Sequence, residues 1–160
     1  MTHGEGHWAR FGLLISVFFF LAGSAFAAPY ASIVVDAKTG RVLHGENEDA
    51  LRHPASITKV MTLYLLFEQI DRGRFRLDTP LTFSSRAAAQ APSKIGLRPG
   101  ETIEVEDAIK ALITKSANDI AVVVAENIAG SEDGFADMMT RRARSLGMNR
   151  TVFKNASGLP

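Results

Sequence analysis

The strongest constraint on the fold lies between Val105 and Gly147, where helical runs follow one another with only short breaks. Val105 to Thr114 places Ile109, Leu112 and Ile113 on one helical face. After Lys115-Ser116-Ala117-Asn118, the run from Asp119 to Ala129 is apolar through Ile120, Val122, Val123 and Val124, and stops at Gly130. Ser131 then reads as the cap of a further helix, with Phe135, Met138 and Met139 inward and a stop at Gly147. Its Arg141, Arg142 and Arg144 are expected on a solvated face. Upstream, residues 56 to 72 carry Val60, Met61, Leu63, Tyr64, Leu65, Leu66, Phe67 and Ile70. Those side chains wrap most of a helix circumference, which predicts burial on nearly all sides, with Gly73 ending the helix.

In front of this section, Ser32-Ile33-Val34-Val35 and Arg41-Val42-Leu43-His44 flank Asp36-Ala37-Lys38-Thr39-Gly40. Gly40 is free to take a positive φ, so the segment reads as a β-hairpin. A lone hairpin is marginal in water, and its apolar face calls for further strands or helices. Glu46 to Asp49 form a polar connection. Residues 74 to 104 read as irregular apart from a short Leu81-Thr82-Phe83 strand, a small-residue patch at Ala87-Ala88-Ala89 and a Pro99-Gly100 turn.

The N-terminus speaks to compartment. Arg10 precedes an apolar run from Phe11 to Ala22, and Ala25-Phe26-Ala27 follows. These are the parts of a secretory signal peptide, predicted to be cleaved after Ala27. The run falls short of the ~20 residues a spanning helix needs. An exported protein, periplasmic or otherwise extracytoplasmic, is the expectation. The 18 basic and 17 acidic residues nearly cancel, which gives no basis for a nucleic-acid partner. With no cysteine, disulfides and thiolate metal sites are excluded. His3, His7, His44 and His53 lack metal-ligand spacing beyond the first pair, which lies in the signal segment.

Two short motifs carry chemistry. In "HPASITKVMT" (residues 53–62), Ser56 and Lys59 stand three apart at a helix start, a spacing that makes side chains neighbours. A lysine partly stripped of water holds a lowered pKa and can take a serine's proton, and the helix N-terminus favours developing negative charge. Against this stands a plain reading of Ser56 as a cap and Lys59 snorkelling from a buried helix. The second motif, Ser116-Ala117-Asn118, offers a hydroxyl able to relay a proton and an amide able to bond a substrate. Its plain reading is a loop that caps the next helix. The two motifs together, about sixty residues apart, are far more specific than either one.

With those motifs, "IGLRPGETIEVEDAIKALITKSANDIAVVVAENIAGS" (95–131) and "LGMNRTVFKNASGLP" (146–160) make the chain resemble the D-alanyl-D-alanine carboxypeptidases. These are low-molecular-mass penicillin-binding proteins of peptidase family S11, in a wider group marked by S-x-x-K, S-D-N and K-T-G. The resemblance runs from about Tyr30 to Pro160. It implies an α/β (α+β) penicillin-recognising serine transpeptidase/β-lactamase-like fold. It implies that Ser56 is acylated, Lys59 accepts its proton, Ser116 relays protons and Asn118 holds the substrate backbone. The implied substrate is a peptidoglycan stem pentapeptide ending in D-Ala-D-Ala, with β-lactams as slow substrates trapped on Ser56. No metal or other cofactor is implied.

The family's third motif follows S-x-N by roughly a hundred residues on a core strand, beyond Pro160. Lys38-Thr39-Gly40 precedes the nucleophile and belongs to the hairpin turn, so it takes no catalytic role. Residues 28–160 are therefore expected to be the N-terminal part of the catalytic domain: the hairpin and the helical section, without the later sheet strands or a C-terminal membrane anchor. A serine β-lactamase, or a truncated non-catalytic fragment that binds peptidoglycan or penicillin, remain alternatives. Asn149-Arg150-Thr151 and Asn155-Ala156-Ser157 match the glycosylation pattern only as chance matches do.

Overall fold

The computed structural model describes residues 30–160, so the expected signal peptide lies outside the described residues. The described residues divide into two compact units, one ending at Leu51 and the other Arg52–Pro160. In the first, β1 (Ser32–Val35) pairs antiparallel with β2 (Val42–Glu46), with Val34 opposite His44 and a bulge between Val34 and Val35. Asp36 closes the turn: its carboxylate accepts from the Lys38 and Thr39 N–H groups and from the Thr39 hydroxyl. The Thr39 bonds, then the Lys38 N–H, hold that carboxyl below its usual pKa. Gly40 takes φ 71 and donates its N–H to the Asp36 carbonyl. Lys38-Thr39-Gly40 is thus fully used by the turn. Ile33, Val34, Val35, Val42 and Leu43 are each about half exposed.

The second unit begins with a 3-10 turn at Ala55–Ile57, which runs into α1 (Thr58–Asp71). β3 (Pro80–Thr82), α2 (Ser85–Ala88), β4 (Thr102–Glu104), α3 (Val105–Lys115), α4 (Asn118–Ala129) and α5 (Glu132–Ser145) follow. β3 and β4 pair antiparallel, with Leu81 opposite Ile103. Helix α4 is the centre. Its residues Asn118 to Ala125 are all buried, and α1, α2, α3 and α5 each pack on it. An apolar surface on every side of one helix leaves no other stable place for it. Gly130, at φ 76, ends the helix and accepts no side-chain cost in that conformation. Ser131 caps α5, its hydroxyl accepting from the Gly134 N–H at 3.1 Å.

Three expectations are corrected. Helix α1 is not buried all round: Met61, Thr62, Leu65, Leu66 and Gln69 are buried, whereas Val60, Tyr64 and Phe67 are exposed. The buried stripe is the side that meets α4, and being apolar on the opposite side does not by itself supply a neighbour. On α3 the inward residues are Val105, Ala108, Ala111 and Leu112, while Ile113 is exposed. Alanines allow close approach to α4 where a larger side chain would hold the helices apart. Arg142 is not simply solvated. It pairs with Glu68, donates to the Tyr64 hydroxyl at 2.7 Å and lies 5.1 Å from that ring's centre, tying α5 to α1.

Residues 74–104 also hold more regular structure than a turn-rich composition suggested. Strand β4 is not legible in the sequence, because Thr102-Ile103-Glu104 is too short to show a period. Helix α2 begins at a Ser84 cap whose hydroxyl accepts from the Ala87 N–H.

Candidate active site

Local geometry sets the first pair. Pro54 leads into the 3-10 turn, and Ala55 takes φ 49, a left-handed conformation that L-residues adopt at a cost. Ser56 follows it on the exposed surface, and one turn on, Lys59 is only 3% exposed. Lys59 Nζ lies 3.3 Å from Ser56 Oγ, as the three-residue spacing predicts. The reach of the lysine is fixed from far away in sequence: its Nζ donates to the Ser157 carbonyl at 2.8 Å. Burial pushes the Lys59 pKa down from its ordinary value, because a desolvated ammonium is penalised relative to the neutral amine.

The wall behind Lys59 is the segment Asn155–Gly158. Thr62, fully buried one turn along from Lys59's neighbour Thr58, donates its hydroxyl to the Ala156 carbonyl at 2.7 Å. Asn155 Oδ1 accepts from the Ser157 and Gly158 N–H groups at 3.2 and 2.7 Å, an Asx-type turn. Gly158 takes φ 82 and packs so tightly that a side chain there would overlap the Ala55 carbonyl. In the sequence, Asn155-Ala156-Ser157 stands out only as a chance match to the glycosylation pattern. The signal that pointed to it was only its place within a segment resembling the family.

The second pair arises where α3 ends and α4 begins. Ser116 is the C-terminal cap of α3 in the left-handed conformation, φ 53 and ψ 40, a place more often filled by glycine. Among the described residues, no hydrogen bond joins the Ser116 hydroxyl to Ser56 or Lys59. Asn118, 4% exposed, is anchored to the preceding loop: its N–H donates to the Ser93 carbonyl at 2.7 Å and its Nδ2 to the Ala91 carbonyl at 3.0 Å. Beside it, Asp119, which in the sequence only opens the helical run, is completely buried. Its carboxylate accepts from the Ile95, Gly96 and Ile120 N–H groups at 2.8–3.1 Å. A buried carboxylate is tolerable only with such partners, and here they fasten the loop over the start of α4. Among the described residues there is no cluster of three or more His, Asp or Glu able to hold a metal.

An exposed serine hydroxyl set against a desolvated lysine amine, at the N-terminal end of a half-buried helix, is equipped for serine-type acyl transfer. The family model for D-alanyl-D-alanine carboxypeptidase, peptidase S11, matches residues 23–160, and the chain belongs to that family. It is 37% identical over 129 residues to the D-alanyl-D-alanine carboxypeptidase DacF of Bacillus subtilis, covering 81% of this chain and 33% of the relative. The crystal structure of the D-alanyl-D-alanine carboxypeptidase DacD from Francisella tularensis superposes with a TM-score of 0.79 at 31% identity, over 89% of this chain and 36% of that one. Penicillin-binding protein D2 of Listeria monocytogenes, solved in its cefotaxime-bound form, gives 0.70 at 30% identity, over 84% and 56%. The described residues form part of the mixed α/β fold of these penicillin-binding carboxypeptidases. The chain spans about a third of the length of the curated relative DacF.

Proposed function

We propose that this chain carries the nucleophile-bearing part of a serine-type D-Ala-D-Ala carboxypeptidase that acts on peptidoglycan stem peptides outside the cytoplasmic membrane. The observation that carries the reading is the 3.3 Å approach of Lys59 Nζ to Ser56 Oγ with the amine buried and the hydroxyl exposed. Neutral Lys59 takes the Ser56 proton as Oγ attacks the penultimate D-Ala carbonyl. One amine N–H is committed to Ser157 O, which leaves the lone pair for Ser56. The resulting ammonium returns a proton, through the Ser116 hydroxyl, to the departing D-alanine amine. Water then attacks the acyl-enzyme ester and frees Ser56. Asn118 keeps a second Nδ2 hydrogen and its Oδ1 for the substrate backbone after bonding Ala91. β-Lactams acylate the same hydroxyl, as the antibiotic-bound form of the Listeria relative suggests by analogy.

Export through a signal peptide ending at Ala27 fits a polymer that lies outside the membrane. The test uses the full-length gene product and a fluorescent penicillin. Covalent labelling that disappears in Ser56→Ala, with D-alanine released from a pentapeptide, supports the reading. Well-folded protein that neither labels nor releases D-alanine refutes it. Rapid turnover of penicillin without D-alanine release would instead place the activity with the β-lactamases.

A further inference from the structure

Glu132 is an acidic residue at the start of α5, where the macrodipole and surface position ordinarily suffice to explain one. Its burial does not fit that explanation: the side chain is only 5% exposed. Both oxygens are engaged, and in different directions. Oε2 accepts from Arg86 Nε and Nη2 of α2 at 3.0 and 2.7 Å. Oε1 accepts from the Ala156 N–H at 3.1 Å. That peptide opens the wall behind Lys59: the Ala156 carbonyl receives Thr62 Oγ1 and the next carbonyl, Ser157, receives Lys59 Nζ. The carboxylate therefore holds one side of a two-residue segment whose other side holds the α1 side chains.

We infer that Glu132 is a positioning residue for the reaction, setting the Ser157 carbonyl, and through it the Lys59 amine, at the place from which it serves Ser56. The inference rests on the acyl-transfer role proposed for Ser56 and Lys59. The physical need is plain. A lysine has four rotatable side-chain bonds, and among the described residues the acceptor that directs this amine, apart from Ser56 Oγ itself, is Ser157 O. That acceptor lies 98 residues away in sequence, on irregular backbone with no helix or sheet to register it. Asn155 shapes the turn from within, and Thr62 reaches it from α1 itself. Glu132 ties it to a different element, α5, and Arg86 fixes Glu132 in turn. The acceptor oxygen is what this role requires; the negative charge serves the Arg86 pair.

Glu132→Ala and Glu132→Gln in the full-length protein separate these contributions. The readouts are the limiting acylation rate at saturating fluorescent penicillin, the concentration for half-maximal rate, and thermal melting. Glu132→Ala is expected to lower the limiting rate about 10- to 100-fold, the scale of a misplaced catalytic group, with the half-saturating concentration within about twofold. Glu132→Gln keeps an oxygen for the Ala156 N–H and is expected to recover most of that rate despite a lower melting temperature. Folded Glu132→Ala acylated at the wild-type rate overturns the inference, as do equal rate losses in both variants. If Glu132→Ala does not fold, Glu132→Asp carries the test, since it keeps the charge for Arg86 and draws the acceptor oxygen back from the Ala156 N–H. A folded Glu132→Asp acylated at the wild-type limiting rate would likewise overturn it. Failure of the wild type to acylate at Ser56 would refute the proposed function itself, which is a distinct result.

Discussion

Gly158→Ala offers the sharpest test of how the nucleophile is held. Two separable penalties meet at this position. Gly158 has φ 82, and a left-handed conformation costs an L-residue about 1–2 kcal/mol. The new methyl would also overlap the Ala55 carbonyl and come within 2.8 Å of Thr58 Oγ1. Overpacking against backbone adds about 1–3 kcal/mol, so the total is about 2–5 kcal/mol, a large share of the ~5–15 kcal/mol by which domains are stable. Gly147 is the control. It has φ 84, and a methyl there meets nothing within 4 Å, so Gly147→Ala carries only the conformational ~1–2 kcal/mol. Melting followed by circular dichroism should show a clearly larger drop for Gly158→Ala, at about 4 °C per kcal/mol. Because the displaced carbonyl belongs to the peptide bond of Ser56, acylation of the folded fraction should also slow in Gly158→Ala and not in Gly147→Ala. Equal melting losses and unchanged acylation in both variants would refute the close packing of Gly158 on the Ser56 turn.

Further expectations concern the charged and capping residues. The Lys59 pKa lies below its unfolded value because of burial, so the acylation rate should rise with pH as the amine deprotonates. The same shift means that between the folded pKa and 10.5 the unfolded chain binds more protons, so stability rises with pH in that window. Wild-type melting measured against Lys59→Met should gain as pH increases there, and a difference independent of pH would contradict the burial. Ser116→Gly should melt higher than Ser116→Ala by the equivalent of about 1 kcal/mol, since glycine accepts φ 53 without strain. Both should lose acylation or deacylation rate if the hydroxyl relays protons, and unchanged turnover would remove Ser116 from the mechanism. Asp119→Ala should cost about 2–4 kcal/mol by leaving the Ile95 and Gly96 N–H groups unpaired. Hydrogen exchange in residues 91–97 should rise with it, and protection unchanged there would show that the carboxylate does not fasten the loop.

What the sequence determined by itself was local. Helix limits at Gly73, Gly130 and Gly147 and the cap at Ser131 follow from the backbone preferences of single residues. The meeting of Ser56 and Lys59 follows from helical spacing, and the Asp36–Gly40 turn from asparagine-like side-chain bonding and a positive φ. All act within about five residues, where chain connectivity already fixes the geometry. Tertiary structure alone decided which sides of α1 and α3 are covered, because an apolar residue states a preference for burial but does not name its neighbour. It also decided that Asp119 fastens a loop two dozen residues earlier, that Glu132 meets Ala156, and that the Ser157 carbonyl directs Lys59. Those contacts join segments 23 to 98 residues apart. Each joins a side chain to a backbone group, whose availability leaves no mark in residue type, so only the packing of α1, α2 and α5 around α4 brings them together.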